Sequence, residues 1–253
     1  MEYQEIIRKL RFLANPKNVA GMARFGINPK NTLGVSVPNI RGVAKKIGKN
    51  HDLALKLWNS KIHEARLLAG FIDEADKVTE RQMEKWVKDF DSWDVCDQVC
   101  SNLFDKTGFA YKKAYQWSKR KEEFVKRAGF VLMAALSVHD KKARDKEFEK
   151  FFPIIKNQAE DERNFVRKAV NWALRQIGKR NPNLNKKSVK LAKEIQKTGT
   201  KSAKWIAGDA IRELTDPKII KKLGKRRGGL TNFLVVVKCL NVKKVEKAEF
   251  SPY

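Results

Sequence analysis

The chain has 253 residues, 42% of them hydrophobic, and sets 55 Lys and Arg against 29 Asp and Glu for a formal net charge of +26. That length buries a substantial core in one elongated domain or two small ones, and the positive surplus makes a polyanion, nucleic acid first, the expected partner. No run approaches the roughly 20 uncharged apolar residues of a membrane span and no apolar signal region opens the chain, so no membrane association is expected.

Apolar residues at three- and four-residue spacing predict helices over 6–13, 40–47, 53–57, 62–71, 81–90, 93–104, 124–136, 148–155, 165–177, 189–195 and 203–214. Strand-like alternation is nearly absent. Thr79 followed three residues on by Gln82 reads as a capping box, and Asp216-Pro217 as an N-cap with proline at the first helical position. The connections are short, as at Ser92 and at Asn181-Pro182-Asn183. Many helices of two to four turns joined by tight turns predict stacked pairs in a solenoid rather than a compact bundle.

An internal repeat supports stacking. Phe124-Val125-Lys126-Arg127-Ala128 and Phe165-Val166-Arg167-Lys168-Ala169 lie about 41 residues apart, in the range of HEAT-type repeats. Equivalent helices of successive repeats would then present their basic residues, Arg127, Arg167 and Lys168 among them, along one concave and positively lined side.

Within Ser92-Trp93-Asp94-Val95-Cys96-Asp97, Trp93 and Asp97 stand at i and i+4 and share one helix face. A carboxylate there is a poor phosphate binder, and on a polycation it is placed either to meet a cation or, with Trp93 in the core, to serve as a solvated or salt-bridged acid. Cys96, Cys100 and Cys239 form no disulfide framework, and with His51, His63 and His139 give no metal-ligand spacing. No metal and no cofactor are expected, and a reducing cytoplasm is, with nucleoid association in a prokaryote.

Met22-Ala23-Arg24-Phe25, Leu33-Gly34-Val35 with Pro38, the segment from Ser92 to Asp97, Lys126-Arg127-Ala128-Gly129-Phe130, and Phe165 to Arg175 with Asn181-Pro182 together resemble the AlkD-type DNA alkylation repair family over roughly the first 215 residues. The resemblance implies an all-α, right-handed solenoid of stacked antiparallel helix pairs, HEAT-like repeats with a concave basic groove. It implies a DNA glycosylase, acting as a monomer on double-stranded DNA, that excises positively charged N3- and N7-alkylated purines. The family's site tryptophans correspond to Trp93 and Trp172, and its backbone-contacting arginine to Arg127. The family often has tyrosine where this chain has Phe25, which keeps a ring for lesion or sugar packing but no hydroxyl. Ser92 stands where many relatives have a further tryptophan. Arg175, one turn beyond Trp172, is expected to meet phosphate.

The chemistry of such a site follows from the residue types. A cationic purine is already a good leaving group, so what remains is an oxocarbenium-like sugar and a water to trap it. A carboxylate stabilises the first and orients the second, and Asp97 is the residue expected to do so. Indole faces attract cations and pack on deoxyribose, and an arginine on a phosphate fixes register without reading sequence. The rival expectation is a noncatalytic helical-repeat module that grips nucleic acid or a protein. Residues 1–217 read as one repeat domain; residues 218–253, with ten Lys or Arg and two acids, read as a basic tail, a last helix or a mobile arm.

Overall fold

The computed structural model describes residues 1–225, and among these every regular element is helical. The first helices are α1 (Tyr3–Phe12), α2 (Pro16–Arg24), α3 (Val37–Ile47), α4 (His51–Asn59) and α5 (His63–Ile72). Next come α6 (Glu80–Lys88), α7 (Trp93–Asn102), a 3-10 turn (Phe104–Lys106), α8 (Ala110–Trp117) and α9 (Glu123–His139). The last are α10 (Asp145–Glu149), α11 (Phe152–Gln158), α12 (Asn164–Gly178), α13 (Pro182–Gln196), α14 (Lys201–Leu214) and α15 (Pro217–Lys225).

Local chemistry sets many of the starts. Asn15, Asn50, Thr79, Asn181 and Thr200 each accept a hydrogen bond from a backbone N–H in the first turn of the following helix. Pro16 and Pro182 follow directly, where the missing N–H costs nothing. The predicted capping box at Thr79 is half formed. Thr79 Oγ1 accepts from Gln82 N at 3.1 Å, but the Gln82 amide turns away to Asp73 Oδ2 at 2.6 Å, since that buried carboxylate needs donors more than the exposed end of the helix does. The helix expected over 148–155 is two, because Pro153 has no N–H to continue α10 and instead sits in the first turn of α11.

The helices form two layers. In one, α3, α5, α7, α9, α12 and α14 contact one another in succession; in the other, α4, α8, α11 and α13 pack behind them. This is the helical solenoid that the spacing predicts, and one continuous apolar core runs between the layers from Ile6 to Ala210. Trp58 and Trp86 stack inside it at 4.0 Å, with the Trp58 indole N–H donating to Asp89 Oδ2 at 2.8 Å. Where α8 meets α9, Gly129 lets the backbones touch: a Cβ there would lie 2.3 Å from Ser118 N. Beyond the boundary expected at residue 217, α15 packs on α13 and α14 through buried Leu223. The rest of the basic tail, including Phe233 to Val237 and Cys239, lies outside the described residues.

A loop between α2 and α3 packs on the first layer. Buried Glu64, in the first turn of α5, accepts hydrogen bonds from Leu33, Gly34 and Val35 N–H at 2.6–3.2 Å. Gly34 has φ +78°, and a side chain there would strike Asn15 O at 2.2 Å, so only glycine lets the loop pass.

Candidate nucleic-acid interface

The N-terminal ends of α7, α9, α12 and α14 lie side by side on one edge of the first layer. Three contacts establish this: Arg127 with Asp97, the Phe124 and Phe165 rings at 5.4 Å, and the Arg167 guanidinium over the Trp205 ring at 5.2 Å. Parallel helices presenting N-termini together sum the positive ends of their dipoles, which favours an anion on that edge. Lys168, Lys201 and Lys204 are exposed there.

Asp97 lies one turn into α7 with its side chain only 15% exposed. Arg127 of α9 grips it in a fork, Nε to Oδ1 at 2.9 Å and Nη2 to Oδ2 at 2.8 Å, while Arg127 Nη1 donates to Phe165 O at 2.6 Å. Burial pushes the Asp97 carboxyl above its ordinary pKa of 3.8, against the opposing pull of Arg127. For Arg127 burial works the other way, and the charge and hydrogen bonds of Asp97 outweigh it to hold the guanidinium protonated. Arg127, which the resemblance places at a backbone phosphate, is engaged by Asp97 and by the Phe165 carbonyl. It is buried, and three of its five N–H groups are taken by an acceptor pair the sequence places 30 and 38 residues away.

Trp93, half-buried at the first position of α7, donates its indole N–H to Phe25 O at 3.0 Å. Gly26, at φ +77°, sits so close to the Phe165 ring that a Cβ would lie 2.5 Å from it, and Asn28 is fixed by its N–H to Ser92 Oγ at 2.9 Å and its amide to Asp91 Oδ2 at 2.9 Å. The loop thus bridges the turn that precedes Asp97 and the residue that holds Arg127. Phe25 itself is left 75% exposed on this edge. Ser92, standing where many relatives have a further tryptophan, is a fully buried anchor for that loop.

The remaining expected residues divide. Trp172 is half-buried against the core on the α12 face it shares with Lys168 and Phe165. Arg167 is half-buried against the Trp205 ring. Arg175 is not an open phosphate contact: it is paired with Asp209 at 3.3 Å and with Glu213, two acids one turn apart on α14, and Lys179 shares Glu213 at 2.5 Å. The near-duplicate pentapeptides also diverge, since Lys126 reaches Asp161 and Gln158 and Arg127 reaches Asp97, whereas Lys168 faces solvent.

Trp205 escaped the sequence reading, and His63 entered it only as a histidine without metal-ligand spacing. Trp205 stands 40% exposed at the fifth position of α14, as Asp97, Arg127 and Lys168 do on α7, α9 and α12; aligning the helix starts reveals this match. His63, at the start of α5, holds Asp94 at 2.8 Å, and burial of the pair is offset by the Asp94 hydrogen bond and charge, so the His63 pKa is raised. Among the described residues no cluster of three His, Cys, Asp or Glu is arranged to hold a metal ion, and no helix is long and apolar enough to cross a membrane.

The arrangement offers a fixed carboxylate with lone pairs to spare, an adjacent indole, an exposed aromatic ring and solvent-facing lysines on one positive edge. Comparison with known proteins agrees with a nucleic-acid role. The chain is 23% identical over 199 residues to the uncharacterised proteins Lin0241 of Listeria innocua and Lmo0209 of Listeria monocytogenes, covering 77% of this chain and 87% of each of them. A solved structure, described as a new family of proteins related to the HEAT-like repeat DNA glycosylases with affinity for branched DNA structures, has the same fold (TM-score 0.68, 20% identity, 77% of this chain and 83% of that one). Residues 6–214, nearly the whole described solenoid, match the family described as DNA alkylation repair enzyme, and the chain belongs to that family.

Proposed function

We propose that the protein is a DNA glycosylase that excises positively charged N3- and N7-alkylated purines from duplex DNA, with Asp97 as its catalytic carboxylate. One observation carries the reading: Asp97 is held rigidly by a two-point arginine fork, one turn from Trp93, on the edge where four helix N-termini converge. A carboxylate fixed before the sugar turns cationic needs no reorganisation during the reaction, and the water-poor surroundings strengthen its field. Each Asp97 oxygen accepts one hydrogen bond from Arg127 and keeps a further lone pair for the sugar or for the attacking water. The two unused N–H groups of Arg127 are available to a backbone phosphate beside the lesion, and Trp93, Trp172 and Phe25 supply surfaces for the deoxyribose and damaged base.

A second reading is favoured by the same fork. Arg127 engages both oxygens of a nearly buried carboxylate, which is also how a purely structural ion pair looks. Under it the protein is a noncatalytic module that grips DNA.

Release of 7-methylguanine and 3-methyladenine from methylated duplex separates the two. The wild type is expected to release base, and Asp97→Asn, which keeps an acceptor for Arg127, to release it about 10²- to 10³-fold more slowly with duplex affinity unchanged or tighter. Release should also fall with decreasing pH through a midpoint above 3.8, because burial raises the Asp97 pKa. Tight duplex binding by a wild type that releases no base would leave the second reading standing.

A further inference from the structure

At the other end of the first layer lies a cavity of about 580 Å³, formed where the C-terminal ends of α9 and α12 meet α15. Its size falls within the range of small-ligand sites, roughly 300–1,000 Å³. Arg127 and Ser137 are ten residues apart on α9, so at about 1.5 Å per residue the cavity is about 15 Å along the helix axis from the Asp97 fork. It is a separate place.

The lining is strongly cationic. Lys141, Lys179, Arg180 and Lys222 border it against a single acid, Asp145. Lys179 is balanced by Glu213. Asp145 is occupied by neutral donors, the amides of Asn181 and Asn183 at 2.7 Å each, and so cancels none of the positive charge by direct pairing. Arg180 is built into place: Nη1 donates to Ser137 O at 3.0 Å, Nη2 to Ala143 O at 2.8 Å, and the guanidinium lies 4.4 Å above the Phe148 ring. Those bonds satisfy a carbonyl in the last turn of α9 and one in the α9–α10 loop, yet leave the guanidinium its charge and further N–H groups. Asp140 is close enough to feel Arg180, but its hydrogen bonds go to Tyr111 and to the N–H groups of Lys142 and Ala143. Among the described residues no carboxylate lies in ion-pair range of Lys141, Arg180 or Lys222.

We propose that this cavity binds a phosphate group, with Arg180 as the fixed donor and Lys141 and Lys222 closing over it from the α9–α10 loop and α15. A preset guanidinium flanked by two exposed ammonium groups matches a tetrahedral phosphate anion. The phosphate belongs either to a DNA strand running past the edge opposite Asp97 or to a free nucleotide.

The test uses the full chain and the double variant Lys141→Ala/Lys222→Ala, which removes exposed side chains and spares Arg180. Backbone amide NMR shifts at residues 137–145, 176–181 and 219–223 are followed on titration with inorganic phosphate, with AMP and with a 20-base-pair undamaged duplex, against sodium chloride at matched ionic strength. Shifts localised to these residues, with affinity about tenfold weaker in the variant, support the site. If AMP alone elicits them the source is a free nucleotide. If the duplex elicits them, and the variant reduces the salt-dependence slope of duplex binding by about 2, the source is a strand. Shifts no larger than those with chloride, or a variant equal to wild type with every probe, would overturn the proposal whatever the outcome of the base-release assay.

Discussion

Swapping the charged fork for apolar groups of similar shape, one side at a time and then together, tests whether Asp97 and Arg127 are energetically one unit. Arg127→Met alone strands a carboxylate that is 15% exposed, and Asp97→Leu alone strands a guanidinium that is 7% exposed. Breaking a buried pair from one side costs about 3–5 kcal/mol. In the double variant neither charge is left behind. The residual loss is the bond from Arg127 to Phe165 O, about 1–3 kcal/mol for an unsatisfied buried carbonyl, partly offset by the new apolar packing. The double variant should therefore be at least about 3 kcal/mol more stable than the sum of the single losses implies. Urea unfolding at neutral pH, followed by fluorescence of the six tryptophans, measures this from the midpoints if the slope m is unchanged. Additivity within about 0.5 kcal/mol would refute the claim that the pair shares one buried environment.

Two further outcomes follow from the packing and from the histidine pair. Gly129→Ala should destabilise by about 1–3 kcal/mol, because the new methyl meets backbone of α8 at Ser118, whereas Gly208→Ala, with nothing within 4 Å, should be neutral or stabilising by up to about 1 kcal/mol; urea midpoints of the two variants provide the comparison. The His63 pKa is raised by Asp94 despite burial, so its stabilising contribution is complete below the unfolded value of about 6.5 and is lost as pH rises through the folded one. Wild-type stability should decline over that window relative to Asp94→Asn, and parallel pH profiles would show the pair to be unlinked to folding.

Periodicity made most of the helices legible, since α5, α7, α9, α12 and α14 bury long apolar runs. It failed at α2, which has no buried residue at all and is announced only by Asn15 and Pro16, and at α8, whose buried apolar residues are Ala110, Ala114 and Trp117. At the candidate site the identities were legible and the pairings were not. Nothing local tells Asp97 that its partner is Arg127, or Arg175 that two acids wait on the neighbouring helix, because those contacts join residues 30 to 38 positions apart through stacking. Ser92 shows the same gap: it stands at the N-cap of α7, but its hydroxyl serves a loop 64 residues earlier.

That loop alters how the molecule comes apart. In a stacked array each unit touches only its neighbours, so the ends fray independently and unfolding spreads piecemeal. Here Phe25 to Asn28 are tied simultaneously to the start of α7 and, through Gly26, to α12, skipping intermediate units. The clasp turns a linear chain of neighbours into a closed circuit, and cutting it at the amino end should loosen the middle of the stack as much as the end.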